Sequence, residues 1–185
     1  MNEKEYQSKI KALLSRLYKE VEVQWLPFRG YGRKIYAPKV DVAVGPFAID
    51  DRYENQYTEL LGQTRDFIDC LIGKHNQNVE DVQERVSFES IAHFNENPRC
   101  FLCIEVEDKG GRKHCLGDLI NASALGRIGL LIARSEKVLK IFLRQRVYLS
   151  YLKSVGKNTF KTDNALIITE KQFNECFDRT VNNLH

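Results

Sequence analysis

Two carboxylates spaced two apart close an apolar run in Phe101-Leu-Cys-Ile-Glu-Val-Glu107. In a strand, residues two apart face the same side, so Glu105 and Glu107 stand together at the strand end. Two like charges at a buried sheet edge are costly without a cation, and a bound metal is the usual compensator. A third acid, Asp41, lies between Val40 and Val42 in Pro38-Lys-Val-Asp-Val-Ala-Val-Gly-Pro-Phe47, where the flanking residues are apolar. Three hard oxygen ligands from Asp41, Glu105 and Glu107 suit Mg²⁺ or Mn²⁺ rather than zinc. Such an ion polarises a phosphoryl oxygen and lowers the pKa of a bound water, the two tasks of phosphodiester hydrolysis.

Other residues could join this chemistry. His114, Asp118 and Asn121 recur at i, i+4 and i+7, hence on one helix face directly after the acidic strand. His114 either reaches the scissile phosphate or the attacking water, or is an ordinary first-turn polar residue with Asp118 exposed beside it. Lys137, Lys140, Arg144, Tyr148 and Tyr151 form a second stripe at three- and four-residue steps. Basic residues with interleaved tyrosines suit a phosphate backbone with stacking against bases. The opposing face of the same helix carries Leu139, Phe142, Leu143, Val147 and Leu149 for the core. Cys100-x-x-Cys103 with His114-Cys115 invites a zinc reading, but residues three apart on a strand point to opposite faces, which favours buried thiols. No Walker, Gly-x-Ser-x-Gly, His-Glu-x-x-His or EF-hand pattern occurs.

The elements that must position these residues follow from periodicity. Helical spacing covers residues 3–20, and Pro27, Gly30 and Gly32 then punctuate a turn. Residues 33–47 read as one or two strands. Residues 53–73 form a helix with Tyr57, Leu60, Leu61, Thr64, Phe67, Ile68, Leu71 and Ile72 on one face. The polar stretch 74–98 is a loop with a short helix around 79–93. Strand 100–107, helix 113–125 and strand 128–133 make a right-handed parallel βαβ unit. A long helix at 136–154, a strand at 165–169 and a helix at 170–182 complete one α/β domain spanning residues 1–185.

Pro38-x-x-Asp41, followed by Glu105-x-Glu107 at the end of an apolar strand and then a helix and a strand, resembles the PD-(D/E)xK superfamily, the restriction-endonuclease-like nucleases. The resemblance spans a core of about residues 33–134. It implies a three-layer α/β/α domain with a mixed central sheet, and metal-dependent cleavage of nucleic acid, with DNA as the expected substrate. By the resemblance, Asp41 is the metal-binding Asp and Glu105 the second acid. Glu107 stands where the superfamily usually places Lys, and there acts as a further ligand or as general base. A cation from elsewhere could replace the Lys, with Lys113, Lys39 and Lys34 available. The superfamily often adds a Glu from the first core helix, and Glu20 and Glu22 are the nearest fits. The alternative is a catalytically silent nucleic-acid- or protein-binding module of the same fold.

With 185 residues, 43% hydrophobic and 29% charged, the chain has the composition of an ordinary globular protein. Its net charge of +3 is unevenly spread. Residues 1–39 carry nine basic and four acidic side chains, and residues 50–89 carry ten acidic and four basic. Residues 134–161 carry eight basic residues against Glu136 alone, either a surface for a polyanion or a solvated helix face. Arg29, Arg33, Lys34 and Lys39 flank the Asp41 strand and could extend a positive cleft. No apolar run approaches the roughly 20 residues of a bilayer span, and the charged N-terminus lacks a signal-peptide core. A cytoplasmic location and five reduced cysteines are therefore expected. The apolar residues of 53–73 are available for a homodimer contact.

Overall fold

A computed structural model describes residues 2–29, 37–49, 51–92, 94–157 and 160–183. Two strands, β3 (Cys100–Glu107) and β4 (Gly126–Ala133), are buried along their whole length and form the centre of a five-stranded sheet. Continuous apolar runs of this kind suit strands covered on both faces. The sheet order is β1-β2-β3-β4-β5, with β1 (Val21–Trp25), β2 (Val40–Val44) and β5 (Ala165–Thr169) completing it. The β1–β2 and β2–β3 pairs are antiparallel, whereas β3–β4 and β4–β5 are parallel. The result is an open, mixed α/β sheet.

Helices cover both faces. On one side α1 (Glu3–Leu14), α2 (Glu54–Gln63), α3 (Arg65–Asn78), α4 (Phe88–Ala92) and α7 (Glu170–Asn182) pack over Val42, Val44, Leu102, Ile104, Ile128, Leu130, Leu166 and Ile168. On the other, α5 (Arg112–Leu125) and α6 (Glu136–Ser154) cover Ala43, Cys103, Leu131 and Ile167. Both α5 and α6 are crossovers between neighbouring parallel strands, and right-handed crossovers running in one direction along a sheet fall on one face. Gly129 lets α5 settle closely on β4. A Cβ there would lie 2.9 Å from the carbonyl carbon of Ala122.

Several expected elements shift. Residues 3–20 are not one helix: α1 stops at Leu14, and the alternation Val21, Val23, Trp25 instead forms β1 on the sheet edge. The sheet therefore runs from Val21 to Thr169, beyond the expected core of 33–134. The helix expected at 53–73 is broken at Thr64 into α2 and α3, and α3 continues to Asn78. The apolar residues offered for a homodimer contact, among them Tyr57, Leu61, Phe67, Ile68 and Leu71, are buried in the chain's own core. Residues 30–36, which include Arg33 and Lys34, lie outside the described residues.

The cysteines depart from five reduced thiols. Packing of α3 against α7 brings Cys70 and Cys176 to a Cα–Cα distance of 5.5 Å, and they form a disulfide. Cys100, Cys103 and Cys115 are free and buried. Cys100 and Cys103 share one core layer, against strict strand alternation, because Phe101 turns to the other layer to pack with Tyr18 and Tyr57. Among the described residues no helix is long and apolar enough to cross a membrane.

Candidate metal centre

The acids meet where β2 begins and β3 ends. In the antiparallel β2–β3 register Val42 faces Ile104, so one further step sets Asp41 against Glu105. Ladder pairing stops there and the Asp41 carboxylate takes over. Its Oδ2 accepts the backbone N–H of Val106 at 2.8 Å, while the Asp41 N–H donates to Glu105 Oε2 at 3.3 Å. The second Asp41 oxygen accepts from two amides, Gln7 Nε2 at 2.7 Å and Gln24 Nε2 at 3.1 Å. Glu105 Oε1 accepts from Asn121 Nδ2 at 2.8 Å.

Each neighbour is delivered by a different local cause. Gln7 projects from α1, whose start is fixed by a capping box in which Asn2 and Glu5 exchange bonds with each other's backbone. Gln24 interrupts the β1–β2 ladder without shifting its register: Val23 and Trp25 pair with Val42 and Val40, while Gln24, opposite Asp41, is skipped and adopts φ +51°. A non-glycine residue in this left-handed region costs about 1–3 kcal/mol and persists only where its surroundings hold it. Here the strained backbone turns the Gln24 amide onto both Asp41 and Gln7 Oε1. Asn121 comes from α5, seated by the close approach at Gly129.

Glu107 points to a second cluster. Its Oε1 accepts the N–H groups of Lys109 at 2.9 Å and Gly110 at 2.7 Å, closing the turn into α5. A side chain at Gly110 would collide with it, since a Cβ there falls 2.3 Å from Glu107 Oε2. That same Oε2 lies 3.0 Å from His114 Nε2, and His114 lies 3.7 Å from Asp118 Oδ2. One ligand atom each from Glu107, His114 and Asp118 can be enclosed within 4.8 Å, the only such group of His, Cys and acidic residues among the described ones. Asp118 is half-buried rather than exposed, and it links the two clusters electrostatically.

The charges explain the strain on these acids. Burial pushes the Asp41 carboxyl up from an ordinary 3.8 to about 6, with Glu3 and Glu107 adding repulsion against the bond from Val106. Burial and the neighbouring Asp41 and Asp118 hold Glu105 well above the usual carboxylate range. Burial also drives Asp118 to about 7, opposed by His114 and reinforced by Glu107, Asp41 and Glu3. Among the described residues no Lys or Arg forms an ion pair with Asp41, Glu105, Glu107 or Asp118, and the His114 imidazole lies against Glu107 and Asp118.

The remaining expected residues lie elsewhere. Lys113 is one helix face away from His114 and lines an open groove between α5 and α6. Lys39 is exposed at the start of β2. Glu20 lies beside Gly45, which follows the opposite end of β2 from Asp41, and Glu22 is exposed on edge strand β1. The acid that α1 does bring near is Glu3, which accepts from Gln7 at 3.3 Å. Lys137, Lys140, Arg144 and Tyr148 line the α5–α6 groove, whereas Tyr151 is exposed outside it. Gln7 and Gln24 are functional neighbours that no motif in the sequence marks. For Gln7 a signal existed: a polar residue in the buried stripe Tyr6, Ile10, Leu14 needs a buried polar partner.

Compared with protein-family models, with curated proteins and with solved structures, the chain matches none. Its own geometry carries the functional reading.

Proposed function

We propose that the chain is a divalent-metal-dependent nuclease hydrolysing phosphodiester bonds of nucleic acid, with DNA as substrate. The observation that carries the reading is the convergence of Asp41 and Glu105 at the sheet end, beside Asp118 and Glu107, with no Lys or Arg among the described residues paired to them. Such a cluster needs either protons or a metal to balance it. The mixed order, with an antiparallel meander into the acidic strand and a helical crossover to a parallel neighbour, accords with the restriction-endonuclease-like resemblance. Location at the carboxyl end of the parallel strands is also where α/β sheets place their ligands.

The donor set fits a hard divalent ion. Asp41 and Glu105 supply carboxylate oxygens suited to Mg²⁺ or Mn²⁺. A bound ion would polarise the phosphoryl oxygen and acidify the attacking water. Gln7 and Gln24 hold the Asp41 carboxylate in place, and Asn121 does the same for Glu105. His114, with 67% of its side chain exposed, donates from Nε2 to Glu107, which leaves Nδ1 to take the water's proton, and Glu107 stabilises the imidazolium that forms. Glu107, tied into the turn by two N–H bonds, orients His114 and does not replace the missing Lys.

The test is metal-dependent cleavage of plasmid, single-stranded and branched DNA, and of RNA. Wild type should cut with Mg²⁺ or Mn²⁺, and Asp41→Ala and Glu105→Ala should lose at least about a hundredfold in rate. Equal residual activity in all three proteins refutes the reading in favour of a silent binding module.

A further inference from the structure

The groove between α5 and α6 has the shape and charge of a track for one polynucleotide strand. Its walls carry Arg112 and Lys113 from α5 and Lys137, Lys140 and Arg144 from α6, and it encloses about 960 Å³. Among the described residues the single acid on its walls, Glu136, is engaged with Lys140 at 3.5 Å, an exposed pair of little strength. Gln145 donates to the backbone carbonyl of Arg112, clamping the start of α5 to α6, and Leu116 and Ile141 contribute an apolar floor. Tyr148 stands on the groove wall with 51% exposure, offering a free aromatic face.

Width decides which nucleic acid can enter. The two helices pack directly against one another. Packed helices have axes about 8–10 Å apart, less than the roughly 12 Å width of a duplex's major groove alone. A duplex could touch only the rims, whereas an extended single strand can lie inside with its phosphates along both basic walls. Tyr148 adds stacking that only an unpaired base can accept. The groove also starts at Arg112 and Lys113, immediately before His114 on α5, so a strand lying in it is led toward the carboxylates.

We propose that this groove binds a single-stranded segment of nucleic acid and that Tyr148 stacks on one of its bases. The choice of nucleic acid as the polyanion rests on the nuclease reading, but the binding itself does not need cleavage. Binding is therefore measured on the full chain in EDTA, by fluorescence anisotropy with labelled oligothymidylate of about 16 nucleotides and a duplex of the same length. The single strand should bind at least tenfold tighter than the duplex. Its log–log salt slope should approach about −3.5, since each basic contact on a single strand contributes about −0.7. Lys140→Ala with Arg144→Ala should flatten that slope by about 1.4 and weaken binding more than tenfold. Tyr148→Ala should weaken binding about fivefold or more, with Tyr148→Phe close to wild type.

All these side chains are exposed, and circular dichroism of each variant checks that it has folded. Equal affinity for duplex and single strand overturns the proposal. So does an unchanged salt slope in the double variant, or displacement of the oligonucleotide by phosphatidylserine vesicles that bind more tightly. Asp41→Ala keeps the groove intact and should bind the oligonucleotide like wild type. Wild type that binds the single strand but never cuts with Mg²⁺ or Mn²⁺ refutes the nuclease reading and leaves the groove standing, whereas wild type that cuts but binds single strand no tighter than duplex refutes the groove and leaves the nuclease reading standing.

Discussion

Asp41→Asn separates a metal cradle from a merely hydrogen-bonded acid. The Asp41 carboxyl is raised from 3.8 to about 6, chiefly by burial. A folded-state pKa above the unfolded value means that the native state binds the proton more tightly. The penalty is thus absent below about pH 4, grows as pH rises through about 6, and is complete by about pH 8. A shift of this size corresponds to about 3 kcal/mol, and to about 2 kcal/mol once residual solvent screening is allowed for. Asparagine removes the charge but also presents an NH₂ where Asp41 accepts from Val106, Gln7 and Gln24, at a cost of about 1 kcal/mol. In EDTA the variant should therefore be about 1 kcal/mol more stable than wild type at about pH 8 and about 1 kcal/mol less stable at about pH 4. Urea denaturation at the two pH values reads this inversion. Mg²⁺ at about a hundred times its Kd should add about 2.7 kcal/mol to wild type and far less to the variant. If the variant is destabilised equally at both pH values and Mg²⁺ stabilises neither protein, the acids are structural and the metal argument falls.

Three further outcomes follow from individual contacts. Gln24→Gly should raise the unfolding free energy in urea by about 1 kcal/mol, because glycine tolerates φ +51°, yet lower Mg²⁺ affinity in calorimetry by removing an amide from Asp41. Gly129→Ala should cost about 1–3 kcal/mol of stability by pressing a methyl group into Ala122, and the displaced α5 should reduce stabilisation by Mg²⁺ through Asn121; thermal melts with and without the ion check both effects. Cys70→Ala with Cys176→Ala should lower stability by about 2–4 kcal/mol, and reductant should destabilise wild type but leave this variant unchanged in urea titrations.

Much of the secondary structure was legible because its signals are local. The apolar run of β3 ends at Glu107, where two charges and a Gly-Gly turn follow, and the structure has the same end point. The helix 136–154 and the pair 165–169 and 170–182 coincide with α6, β5 and α7, since Ser135 and Thr169 supply the caps that mark where each helix starts. Strand β1 carries no decisive local signal, because Val21 also continues the helical stripe of Leu14 and Leu17, and a five-residue edge strand offers too few repeats of either period to decide between them. The break at Thr64 went unseen for a related reason: the apolar period continues across it, and Thr64 hydroxyl bonds to Leu60 and Tyr18 mark the break only in three dimensions.

Local chain geometry alone puts Glu105 and Glu107 on one strand face and His114, Asp118 and Asn121 on one helix face. Both follow from fixed backbone periods of two and of about 3.6 residues. Which of these faces meet is settled by packing between distant elements. Pairing of β2 with β3 set Asp41 against Glu105, and the seat at Gly129 brought Asn121 to Glu105. Closure of the Asp108–Gly111 turn drew Glu107 away from that pair and toward His114. These outcomes depend on register, on close approach between elements and on competing hydrogen bonds across distances of up to 65 residues in sequence. No local period encodes them, and so the chain announced its acids but not the partners each would take.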